Sequence, residues 1–124
     1  MKQLANYIKI VPFHQYVSFN GTDITANVEV LILYSNTPIQ FNEDPDNKNG
    51  NPYYKQSFQL VTDKLSANIR NMYPAKIPVV VLLYTDDQQP HILGNENSKL
   101  RLTIQPTPNE DILSFSREAE DTLF

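Results

Sequence analysis

The longest apolar run in the chain is Val79-Val80-Val81-Leu82-Leu83-Tyr84, opened by Pro78 and closed by Thr85-Asp86-Asp87. A run without alternation, rich in β-branched residues, predicts a strand buried on both faces. Proline is tolerated at the first residue of a strand. The run is far shorter than the roughly 20 residues of a membrane-spanning helix. A second such run, Val28-Glu29-Val30-Leu31-Ile32-Leu33-Tyr34, ends at the turn cluster Ser35-Asn36-Thr37-Pro38. Both runs are expected at the centre of one sheet.

Weaker strands follow from alternation. Tyr7 to Val11 alternates up to Pro12, and Lys99 to Gln105 alternates with Leu100, Leu102 and Ile104 on one side. Tyr54, Phe58 and Leu60 share one parity. His91 to Gly94 and Ile112 to Phe115 are short candidates. The spacing of strands and turns from 84 to 105 predicts an antiparallel meander. One segment reads as helix, near residues 63–73. There Leu65, Ile69, Met72 and Tyr73 recur at helical spacing, Thr62 or Asp63 stands ready as a cap, and Pro74 stops it. The expected fold class is therefore α+β but mostly β, an antiparallel sheet or small sandwich or barrel with one short helix.

At 124 residues the chain is long enough for one domain with a real core. Residues 1–116 are expected to form it, with an acidic C-terminal tail over 117–124. Residues 110–124 hold five acidic side chains against Arg117 alone, while acids and bases balance over the rest. No basic patch favours a nucleic-acid phosphate backbone. With no cysteine, disulfide scaffolds and thiol chemistry are excluded. The N-terminal residues lack the apolar core of a secretory signal, so a soluble protein made in the cytoplasm is expected.

Few constellations point to chemistry. The polar segment 42–52 is read as a long loop and invites comparison with a calcium loop. Setting Gly50 at the turn position puts Pro45 and Gln56 where the anchoring carboxylates belong, so the EF-hand pattern fails. His14 and His91 have no metal-binding spacing, and Asp86-Asp87 suits a turn. The glycines Gly21, Gly50 and Gly94 are too scattered for a phosphate-binding loop. Asn20-Gly21-Thr22 reads as a turn. No catalytic residue, metal site or cofactor is expected.

What remains is an abundance of amides and phenols, with 13 Asn, 8 Gln and 7 Tyr. Such groups suit wet, hydrogen-bonded protein interfaces. Tyr53 and Tyr54 are expected to make a flat contact, with Asp44 and Asp46 from the 42–52 segment. Leu123 and Phe124 are expected to anchor the tail on a neighbour.

The run Val79–Tyr84, the turn Thr85–Pro90, the segment His91-Ile92-Leu93-Gly94-Asn95 and the alternating Leu100–Ile104 follow one another in that order, without a specific motif. Over roughly residues 53–105 this order resembles small β-rich virion proteins of tailed phages and prophages. The resemblance implies a structural subunit of a tail or head–tail region, assembled in rings or tubes, with no catalytic residues. The leading expectation is thus a non-enzymatic, homo-oligomeric subunit with protein partners, and without nucleic-acid or membrane partners. A glycan-type binding module is the alternative, and a small hydrolase-like enzyme using a His/Asp pair is the third.

Overall fold

The computed structural model describes residues 4–48 and 50–120. The chain runs β1 (Leu4–Pro12), β2 (Tyr16–Phe19), β3 (Ile24–Ala26), β4 (Leu31–Tyr34), β5 (Phe41–Lys48) and β6 (Asn51–Asp63). It continues through α1 (Ala67–Met72), β7 (Ile77–Thr85), β8 (Pro90–Leu93), β9 (Leu100–Pro106) and β10 (Glu110–Ala119). Eight strands form one antiparallel sheet in the order β4-β1-β7-β9-β10-β6-β5, with β8 also on β7. The sheet curls into a half-barrel, and β2–β3 form a separate hairpin. The mostly-β class with one short helix is therefore as expected.

β7 behaves as its apolarity demands. Val79, Val81 and Leu83 face the main core with Ile8, Phe58, Leu102 and Phe115. Val80, Leu82 and Tyr84 face a second core with Val11 and Ile24, covered by Phe13, Tyr16 and Phe19. One strand thus carries both cores, because successive side chains point to opposite faces.

The other long apolar run behaves differently. Only Leu31–Tyr34 are strand, and β4 lies at the sheet edge, not its centre. Leu33 is buried in the main core, while Ile32 and Tyr34 are 46% and 61% exposed. Val30 is spent on the second core before the strand begins. Continuous apolarity here serves two cores in succession along the chain, not two faces of one strand.

Two further corrections concern connections. Segment 42–52 is no loop: β5 and β6 pair from Phe41↔Phe58 to Lys48↔Asn51 around Gly50, which has φ +80°. Pro45 is tolerated because β5 is an edge strand. The stretch 84–105 is no simple meander, since β8 and β9 both pair with β7, at Val81–Tyr84 and Ile77–Val79 respectively. Gly94 makes the step between them. Its φ is +101°, and a Cβ there would lie 2.5 Å from the Val79 carbonyl oxygen. Gly94→Ala combines that overlap with a strained backbone, so a loss of at least about 2 kcal/mol is expected in urea unfolding.

The helix is shorter than 63–73. Asp63 stays in β6, and Ser66 caps the helix, its Oγ accepting from the Ile69 N–H at 3.2 Å. Leu65, Ile69 and Tyr73 do face the core, whereas Met72 is exposed. Burial pushes the Tyr73 phenol up to about 12. Of the stretch 117–124, expected as a tail, residues 117–119 continue β10, with Ala119 buried, and residues 121–124 lie outside the described residues. The turn at Ser35-Asn36 closes the half-barrel. The Asn36 N–H donates to the Val61 carbonyl at 2.6 Å, and the Val61 N–H donates to Ser35 Oγ at 3.2 Å.

Candidate functional site

Strands β5, β6, β10 and β9 share a continuous register, which sorts their side chains into rows across the sheet. Inward rows build the wall of the core. Phe41, Phe58, Phe115 and Leu102 make one row, with the Phe58 and Phe115 rings stacked 4.5 Å apart and 9° from parallel. The next inward row is polar: Glu43, Gln56 and Arg117. Gln56, 1% exposed, donates through Nε2 to Glu43 Oε2 at 2.6 Å and accepts from Arg117 Nε at 2.6 Å. Burial pulls the Arg117 guanidinium below its ordinary value, and the Glu43 carboxylate opposes that shift. A buried amide with both ends satisfied fixes the register of three strands, since sliding any of them would strand a polar group.

The outward rows of the same strands form an open polar surface. Gln59, Ser114 and Thr103 make one row, Asn42, Ser57, Ser116 and Arg101 the next, and Asp44, Lys55 and Glu118 a third. Ser98 Oγ donates to the Glu118 carbonyl, and Lys99, just before β9, lines the same groove as this row with its Nζ 5.5 Å from the centre of the Phe13 ring. Two open grooves, about 410 and 830 Å³, lie along this surface and share Ser57 and Ser116. Thr37, Gln40 and Asn42 flank the smaller groove, and Glu96 to Lys99 flank the larger. Hydroxyls, amides and alternating charges dominate the lining.

The structure brings four of the expected interface residues together. Asp44, Asp46, Tyr53 and Tyr54 all lie on the β5–β6 hairpin. Asp44 pairs across the strands with Lys55, Pro45 with Tyr54, and Asp46 with Tyr53. The Tyr53 hydroxyl donates to Asp46 Oδ2 at 3.1 Å, and Lys55 Nζ stands 3.5 Å from the same oxygen. Tyr53 and Tyr54 point to opposite faces, so they do not make one flat contact. Beyond Tyr54, opposite Ala119, the hairpin overhangs the described end of β10 as an arm. Leu123 and Phe124 lie outside the described residues.

The residues weighed for chemistry lie apart. His14 is exposed in a 3-10 turn after Pro12, which pairs with Val79, while His91 pairs with Leu83. Their reference positions on β7, Val79 and Leu83, are four residues apart, about 13 Å along the strand. Asp86 and Asp87 form the β7–β8 turn, with Asp87 bonded to Thr85 Oγ1. No group of three metal-ligating side chains gathers among the described residues.

One cluster escapes sequence reasoning. Tyr7, Tyr34 and Tyr84 come from three adjacent strands, with ring centroids 5.8 Å apart for Tyr7–Tyr34 and 4.9 Å for Tyr7–Tyr84. Lys9 lies 5.7 Å from the centre of the Tyr84 ring and 3.2 Å from Asp23. Burial works against the Lys9 charge, yet Asp23 and Tyr84 hold its pKa above the ordinary value. Only strand pairing unites these residues, and spacing along the chain carries no trace of it.

Comparisons of the chain with protein-family models, with curated proteins and with solved structures return no match. None of the described helices is long and apolar enough to cross a membrane.

Proposed function

We propose that this protein is a non-enzymatic structural subunit that assembles with copies of itself or with other proteins, in the setting its sequence resemblance implies, a phage tail or head–tail region. The observation that carries the reading is the outward face of β5, β6, β10 and β9. It offers rows of Ser, Thr, Asn, Gln and charged side chains across four strands, in open grooves that share one floor. Protein interfaces use such groups in wet, hydrogen-bonded contact. A glycan-type module asks for an aromatic platform over its groove. The aromatic residues of the smaller groove are Phe58 and Phe115, whose rings are buried in the core.

Beyond the described end of β10 the β5–β6 hairpin continues this face and adds Asp46 and Tyr53 to the contact. The test is the mass in solution, measured by light scattering from micromolar to millimolar protein. A mass above that of one chain, rising with concentration, is expected. A single-chain mass throughout overturns self-assembly.

A further inference from the structure

The outward face has a symmetry of its own. Read across β5, β6 and β10, its third row is Asp44, Lys55 and Glu118, and Lys99, just before β9 in the same groove, extends the alternation of negative and positive. We propose that this face docks against a second copy of the same face through a two-fold axis parallel to the strands and running between β6 and β10. The proposal rests on the assembly reading above and names its partner and surface.

The axis exchanges β5 with β9 and β6 with β10. Asp44 then meets Lys99 of the second copy, and Lys55 meets Glu118 of the second copy. Each charge meets one opposite charge on the other copy, and each of the two pairings is made twice. The neighbouring rows comply: Asn42 meets Arg101, Ser57 meets Ser116, and Gln59 meets Ser114. Each is a donor–acceptor pairing. Moving the axis by half a strand spacing, onto β6, sets Lys55 against its own copy and Asp44 against Glu118, both repulsive. The charge pattern therefore selects one register by rejecting its neighbours. A two-fold contact of this kind, made by one patch on both subunits, is the commonest symmetry of soluble oligomers.

The size of the face sets the strength. Four strands at about 4.8 Å and three rows at about 6.6 Å give roughly 400 Å² per copy, half of a standard interface. The pair is thus concentration-dependent, and its exposed charges make it sensitive to salt.

Charge reversal tests it by sedimentation. Lys55→Glu and Glu118→Lys each oppose like charges at two places, and each is expected to raise the dimer dissociation constant at least about tenfold. The double variant restores both pairs with reversed sign and is expected to return close to the unaltered protein. Asp44→Lys with Lys99→Glu provides an independent swap on the outer pairs, should either first variant fail to fold. Self-association that ignores the single reversals overturns this interface and leaves the assembly reading standing. Single reversals that weaken the dimer without rescue by the double also overturn it. A one-chain mass for the unaltered protein at every concentration overturns the interface and self-assembly together.

Discussion

Phe58→Ala is expected to cost about 3–5 kcal/mol of folding stability, read from urea midpoints. The ring is 2% exposed, stacks on Phe115, and lies 6.2 Å from the Phe41 ring at the end where β5 joins the sheet. Its removal opens a cavity that strands on both sides cannot close, because each is pinned by the Glu43–Gln56–Arg117 row one step away. Gln59, the next residue, faces outward and is exposed. Gln59→Ala is expected to stay within about 0.5 kcal/mol. Equal losses at the two positions would contradict the assigned faces of β6.

Asp111 carries the second large effect. Its side chain is fully enclosed, with Oδ2 accepting from the Leu65 N–H at 2.9 Å and Oδ1 from Lys64 Nζ at 3.0 Å. The contact ties the segment before α1 to β10. Asp111→Ala leaves a buried N–H without its acceptor and is expected to cost about 2–4 kcal/mol. Burial alone pushes the Asp111 carboxyl up, but the Leu65 N–H, Lys64 and Arg70 together bring it below its ordinary 3.8. A carboxyl depressed on folding contributes stability above its unfolded value. That contribution is lost as pH falls through the lower folded value. The unaltered protein is therefore expected to lose stability below about pH 4 more steeply than Asp111→Asn. Parallel acid limbs for the two proteins would refute the assignment.

Asp111 also shows where sequence reasoning stops. In the linear chain it is one of five acids at an acidic end, yet the fold seals it inside while its neighbour Glu110 is only half-buried. What distinguishes them is parity within β10, and the expected strand there was Ile112–Phe115 alone. Parity did work where alternation was clean. Leu100 and Leu102 point inward as expected, and Phe58 and Leu60, read as sharing one parity, lie together in the core. It failed on β5, because Asn42 to Lys48 has the composition of a loop and becomes a strand only through pairing with β6. Edge strands are held by their neighbour's backbone as much as by their own residues, and charges and proline are tolerated there. The charge row of the proposed docking face lay beyond reach for the same reason. Asp44, Lys55 and Glu118 come from three strands and Lys99 from the segment before β9, and nothing in their spacing brings them into line.

The pairing of β1 with β7 joins Leu4 to Thr85 and Pro12 to Val79. During synthesis β4 can reach β1 early, at Tyr7↔Tyr34, but the other edge of β1 stays open until residues 13–76 have been made and β7 follows. Distant pairings of this kind slow folding, because loop closure must come before any contact rewards it. Newly made chains hold Ile8, Ile10 and Val11 without the β7 side chains of their cores through that interval, and chaperones have their clearest opportunity at this stretch.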